Sequence, residues 1–335
     1  MTERTWPRVV AVAASLVVAL TACGTTKDDG GGSSNAGKNA TLTDVRLMVP
    51  NTPGGGYDVT ARTAAKAMED AKIASNLEVF NLAGAGGTVG LARVVNEKGN
   101  GKLAMMMGLG VVGSVYTNKS KATLTETTPL ARLIEESGAI FVAKDSPYQS
   151  LTDLITAWKA DPGKVPVGGG SSPGGPDHLL PMQLAKAVGI DPKTVNYVPY
   201  DGGGELLPAI LGKKVAFGAS GYTEFLDQVR SGQMRVLAVT GEKRVDVVDA
   251  PTLKEQGVDL TFTNWRGFVA PPGIKDADRD KLIAALEKMH DSEPWKAAIQ
   301  KNGWTDAFMT GEDFKQFLKD QDTRVADVLT TLGLA

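Results

Sequence analysis

Three glycine-rich segments stand where the chain passes from strand-like residues into helical spacing. They are Pro53-Gly54-Gly55-Gly56-Tyr57-Asp58, Ala83-Gly84-Ala85-Gly86-Gly87-Thr88, and the stretch Gly168 to His178 (GGGSSPGGPDH). A helix start leaves several backbone N–H groups without intrahelical acceptors, and the helix dipole is positive there. Glycine lets a ligand come close to that backbone. The natural occupant is an anion, a carboxylate or a phosphate. In open α/β sheets such loops gather at the carboxyl ends of the strands, where ligands bind. Ordinary tight turns account for any one of these loops more easily than for all three.

The candidate ligand contacts are therefore Pro53, Gly54, Gly55, Gly56, Tyr57 and Asp58, then Gly84, Ala85, Gly86, Gly87 and Thr88, then Gly170, Ser171, Ser172, Gly175 and His178. Asp58 either caps its helix or touches the ligand. Tyr57 either packs in a wall or lays its ring along the ligand. Side chains inserted at Gly55 or Gly86 are expected to block binding and leave the fold intact. Enzymatic readings find little material. Gly54-Gly55-Gly56 lacks the Lys-Ser/Thr of a P-loop, and Gly84 to Gly87 fits a dinucleotide fingerprint only loosely. A serine nucleophile needs a base within reach and a third group to orient it. His178 lies seven residues after Ser171 and no G-x-S-x-G elbow is present. With two histidines and one cysteine in 335 residues, neither a metal centre nor a thiol catalyst is expected, and no cofactor.

Elements of ordinary α/β grammar position these loops. Strands are expected at 45–49, 77–80, 102–107, 140–143, 165–168, 196–199, 214–217 and 235–239. Helices are expected at 59–71, 88–96, 151–158, 178–188 and 311–332. The alternation implies a parallel sheet covered by helices, built as two α/β lobes with the chain crossing near 144–147 and 260–267. Arg266, near the second crossing, is expected either to pair with a second carboxylate of the ligand or, more simply, to pair with an acid that fixes the hinge. The net charge of −2 excludes nucleic acid as the main partner.

The first residues report location. Arg4 and Arg8 precede an unbroken apolar run, Val9 to Leu20, too short to span a bilayer and suited to an export signal. The ending Leu20-Thr21-Ala22-Cys23 resembles the lipobox of bacterial lipoproteins, which implies cleavage after residue 22 and lipidation of Cys23. Loss of Arg4, Arg8 and Glu3 then takes the net charge to −3. Residues 23–40, rich in Gly, Ser and Asn, read as a flexible tether of roughly 20–25 Å reach.

A wider resemblance runs in order through residues 43–333. Met48 to Asp58, Ala61-Arg62, Asn81 to Gly90, Ser150 to Leu154, Pro162-Gly163-Lys164, the loop ending at His178, Val198-Pro199-Tyr200, Gly232 to Val239, Pro251-Thr252-Leu253 and Trp265 to Gly273 are similar to the tripartite tricarboxylate transporter receptors, the Bug-type extracytoplasmic solute receptors. The resemblance implies a two-lobed, periplasmic-binding-protein-like (Venus flytrap) α/β fold that closes on a small carboxylate in the interlobe cleft. Lobe 1 is then 41–145 plus 265–335 and lobe 2 is 146–264. It also implies two integral-membrane transporter subunits as partners and no catalysis; the lipobox adds a lipid anchor at the outer face of the membrane, and a monomer is expected. By position it adds Ser220, Gly221 and Tyr222 to the cleft. This chain departs from the family in having Ala216 and small residues in 218–222 where acids often stand, which argues against a ligand held by its amino group there. A receptor that docks on a signalling partner, and an exported enzyme on the same fold, are the alternatives.

Overall fold

The computed structural model describes residues 41–200 and 202–335; the expected signal peptide, Cys23 and tether lie outside the described residues. In chain order the elements are β1 (Leu42–Thr43), β2 (Arg46–Val49), α1 (Gly56–Asp70), β3 (Ala74–Ser75), β4 (Glu78–Asn81), α2 (Thr88–Asn96), β5 (Leu103–Gly108) and α3 (Leu109–Thr117). The long strand β6 (Thr128–Ala143) follows. Then come α4 (Leu151–Ala160), β7 (Val167–Gly169), α5 (Pro176–Ala187), β8 (Tyr197–Pro199), α6 (Gly203–Leu211), β9 (Phe217–Gly221), α7 (Leu226–Arg230) and β10 (Met234–Val239). The chain ends with β11 (Thr263–Ala270), α8 (Asp276–Asp291), α9 (Glu293–Asn302), β12 (Thr305–Thr310) and α10 (Gly311–Leu332).

Local chemistry explains several boundaries. Ser150 accepts from Asp153 N–H at 3.1 Å while the Asp153 carboxylate accepts from Ser150 N–H at 3.0 Å, a reciprocal cap that starts α4. Along α10, Phe314, Leu318, Gln321, Val325 and Leu329 are buried at intervals of three and four residues, so one stripe faces the core.

Ten strands form one sheet in the order β4-β2-β5-β11-β6-β9-β7-β8, with β10 and β12 also on β6. The parallel pairing that the sequence implies holds for β4-β2-β5 and for β8-β7-β9. Between these groups β11 runs antiparallel to β5, and β6 runs antiparallel to β11, β9, β10 and β12. Antiparallel neighbours need no crossover helix, so the βαβ grammar missed this pairing: strands are expected at 140–143, 214–217 and 235–239 but as parallel members, and β11 and β12 are not expected at all. Residues 128–137 of β6 pair with β11, and residues 138–143 pair with β9 and β10. The pairing thus changes hands between Ser137 and Gly138, within a strand and upstream of 144–147.

One core is continuous beneath both strand groups: Met48 and Met105 on one side and Val167 and Phe217 on the other share it with Val112 of α3, Leu180 of α5 and Phe314 of α10. A second core lies under α1, α8 and α9, and a third under α6 with Phe141 and Phe225. Each fully buried Leu or Phe contributes about 1.5–3 kcal/mol from its removal from water.

Candidate functional site

The first glycine loop leaves β2 and starts α1. Its N-cap, Gly55, brings no side chain to the helix. The Asp58 carboxylate turns back instead. It accepts from Gly54 N–H at 2.9 Å, from Asn81 Nδ2 at 2.8 Å and from Arg62 Nε at 3.0 Å. Burial pushes the Asp58 acid up, but Arg62, the Gly54 N–H and Asn81 together hold it below its ordinary value. Asp58 therefore braces the loop, and the N–H groups of Gly56, Tyr57 and Asp58 make no hydrogen bond to the described residues.

Tyr57 bridges to α3: its hydroxyl accepts from Gly110 N–H at 3.1 Å. Burial pushes this phenol up to about 12, so it stays protonated. The second loop, 84–88, also rests on α3. Asn118 Nδ2 donates to Ala85 O at 3.3 Å, and Gly86 sits at φ +62° with its α-carbon against Ser114. That left-handed backbone and the close side chain admit only glycine comfortably. The expectation that a side chain at Gly86 leaves the fold intact is therefore corrected.

The third loop leads from β7 into α5, and the N–H groups of Gly170, Gly174, Gly175 and Asp177 are used internally. Gly170 N–H donates to Asp177 Oδ2 at 2.8 Å, and Asp177 N–H donates to Ser171 Oγ at 2.9 Å. Gly174 N–H donates to His178 Nδ1 at 3.1 Å, while Gly175 N–H goes to Ser172 O. His178 is buried and edge-on to Tyr197 at 4.8 Å; burial pushes its pKa down to about 4. Ser171 is thus an acceptor at a helix start, and His178 is a neutral acceptor for a backbone amide.

These pieces close into a ring at the carboxyl ends of the strands. A Cβ at Gly56 would lie 2.5 Å from Arg266 Nη2. Arg266 Nη2 donates to Glu136 Oε2 at 2.9 Å and its Nη1 to Thr60 at 3.3 Å. Glu136 flanks Gly221, and the neighbouring Ser220 hydroxyl donates to Asp177 Oδ2 at 2.9 Å. Pro176, next to Asp177, stands 3.5 Å from where a Cβ of Gly110 would be, and Gly110 returns to Tyr57. The ring thus joins the starts of α1, α3 and α5 to the end of β9. The 84–88 loop sits one step outside it, behind Ser114. Tyr222 points elsewhere, its hydroxyl donating to Gly303 O. Pro53, Gly54 and Ser172 contribute loop backbone on its rim.

Sequence reasoning did not single out Glu136, Asp177 or Glu224. Arg266 does pair with an acid, and the acid is Glu136. Glu224, in the turn after β9, lies over Gly203 at the start of α6. It is an exposed residue. Burial of the carboxyl, reinforced by Asp177 and Glu136 and opposed by Ser220 and Arg266, pushes the Glu224 acid up to about 8. Burial likewise pushes Asp177 up to about 6, with Glu136 adding to it and Ser220, Gly170 N–H and Arg266 opposing. Glu136 of β6 and Asp177 of α5 thus stand beside Gly221 and Ser220 of the loop that itself has no acid at 216 or 218–222. One local signal was available: Glu135-Glu136 interrupts a mostly apolar strand.

The profile of the tripartite tricarboxylate transporter family receptor matches residues 60–334, most of the described chain. The chain belongs to this receptor family. A Cupriavidus necator relative, the UPF0065 protein in the gbd 5′ region, is 28% identical over 296 residues, covering 87% of this chain and 88% of its own. The crystal structure of a TctC solute-binding protein from Polaromonas superposes with a TM-score of 0.70 at 26% identity, over 87% of this chain and 99% of that one. MatC from Rhodopseudomonas palustris, solved with bound malate, shares the fold at a TM-score of 0.73 and 22% identity, over 86% of this chain and 99% of its own. The receptor family has the two-lobed periplasmic-binding-protein fold, works outside the cytoplasm, and comprises substrate-binding receptors and not enzymes. No helix among the described residues is long and apolar enough to cross a membrane.

Proposed function

We propose that this receptor captures a small organic carboxylate between lobe 1 (41–145 with 265–335) and lobe 2 (146–264) and delivers it to two integral-membrane transporter subunits. In this reading Cys23 carries a lipid that anchors a monomer to the outer face of the membrane, and 23–40 is the tether. The observation that carries the proposal is the ring, in which the open N-terminus of α1 faces groups from the other strand group. The malate in MatC, a relative in fold, supports the ligand class.

Magnitudes favour a shared site over a single helix end. A carboxylate at one helix N-terminus gains at most about 2 kcal/mol, whereas micromolar binding needs about 8 kcal/mol. Charge-assisted bonds at about 1.5–3 kcal/mol each, from polar groups of both lobes, are needed to supply the rest. Contacts from the second lobe then favour the closed form, because a ligand shifts an equilibrium only by its differential affinity. Thermal-shift screening of the protein against a carboxylate panel tests this. A ligand at 100 times its Kd adds about 2.7 kcal/mol; an unmoved melting curve across the panel would count against the proposal.

A further inference from the structure

Arg266 stands on β11 opposite Gly108, the residue at which β5 hands over to α3. Its guanidinium lies against the first residue of α1: a Cβ on Gly56 would be 2.5 Å from Nη2 and 3.2 Å from Nε. The absence of a side chain at 56 is thus what lets the cation come in. A positive group beside a helix N-terminus sets like against like. Glu136 answers part of that charge, its Oε2 accepting from Nη2 at 2.9 Å, and Nη1 reaches Thr60 Oγ1 at 3.3 Å. Nε is buried, on a side chain only 8% exposed, and has no acceptor among the described residues. A buried charged donor left without a partner is costly. The acids around it are engaged. Glu136 Oε1 accepts from Thr223, Asp58 from Gly54, Arg62 and Asn81, and Asp177 from Gly170 and Ser220. Beside this unspent donor lie the open N–H groups of the first turn of α1.

We infer that Arg266 is a ligand-binding residue: a carboxylate seated at the start of α1 also takes the Nε–H of Arg266, and in doing so competes with Glu136 for the guanidinium. The inference rests on the receptor reading above and names the side chain that selects for the ionised acid. A helix end offers about half a unit of positive charge, whereas a guanidinium carries a full unit in a rigid fork that fits a carboxylate. Arg266 thus has two anionic partners, one built into β6 and one that arrives. The built-in partner keeps the cation folded in while the site is empty, and the arriving one satisfies the donor that Glu136 leaves over. Glu136 also holds Thr223, beyond the end of β9, so the contacts from ligand to Arg266, Glu136 and Thr223 run from one lobe of the reading above to the other.

The test is isothermal titration of the full chain in mild detergent at pH 7.5 with succinate, malate and adipate. Glu136→Gln keeps the shape of the acceptor and removes its charge, so the best-bound of the three acids should bind at least threefold tighter than to wild type. A purely structural Arg266 predicts no gain, or a loss. The double change Arg266→Met with Glu136→Leu leaves no buried charge behind, and the same acid should bind at least tenfold more weakly. A melting curve for each variant reports folding, and the double variant decides alone if Glu136→Gln folds poorly. If folded Glu136→Gln binds no tighter, or the double variant binds as tightly as wild type, the inference falls and the carboxylate-receptor reading stands. If wild type binds none of the three acids, both fall.

Discussion

Arg266 on β11 and Glu136 on β6 are diagonal neighbours across an antiparallel pair, joined by a 2.9 Å contact beside the point where β6 changes partners. Both side chains are at most 8% exposed. Removing one partner of a buried pair strands the other charge, at about 3–5 kcal/mol. Arg266→Ala should therefore lower stability in urea unfolding by about that amount, and the double change Arg266→Met with Glu136→Leu should recover most of it. A loss below about 1 kcal/mol for the single variant would mean the pair is not held as described.

Gly113 on α3 packs so closely on the third loop that an added Cβ would fall on the carbonyl oxygen of Gly174. The contact joins elements assigned to different lobes. If they separate in an open form, Gly113→Ala is strained only when they meet, by about 1–3 kcal/mol. Binding should weaken about tenfold or more, with the ligand-free melting temperature nearly unchanged. Equal losses in both would show that the contact never opens.

Gly86 is different in kind. Its φ of +62° and the adjacent Ser114 make Gly86→Ala costly in any state, by about 1–3 kcal/mol. Chemical denaturation without ligand should register that loss. Wild-type stability in this variant would refute the packing described for the second loop.

Adjacent residues should give opposite pH slopes. The folded-state acid of Asp177 lies at about 6, above its ordinary 3.8, so the fold binds its proton first and gains stability as pH falls from 6 toward 4. His178 lies at about 4, below 6.5, so the unfolded chain is protonated first and stability is lost as pH falls through the same window. Relative to wild type, Asp177→Asn should make melting temperature fall more steeply on acidification, and His178→Gln less steeply. Parallel curves for all three proteins would contradict both assignments.

What the sequence made legible follows from the range of each signal. α10 was readable to the residue, because Phe314, Leu318, Val325 and Leu329 repeat at helical spacing over 22 residues. The glycine loops were readable because the turn chemistry is local. By contrast, 103–115 is apolar nearly throughout, so nothing marks where β5 ends and α3 begins. β6 was seen only at 140–143 because Arg132, Glu135 and Glu136 break its apolar run. Arg132 pairs locally with Glu135, but the buried acids of the ring are tolerated through partners far along the chain, Glu136 with Arg266 at a separation of 130 residues and Asp177 with Ser220 at 43. Contacts of that span leave no periodicity, and so the acids of the ring stayed invisible.

β6 serves both strand groups without a break, and this limits how the halves can move or be taken apart. A relative rotation has to be absorbed as twist along a hydrogen-bonded ribbon around Ser137 and Gly138, which favours a few shared angles over loose tumbling. Severing the chain there would leave each piece with a raw sheet edge, prone to pairing with strangers. Split or permuted versions of this receptor belong at its surface turns, well away from that strand.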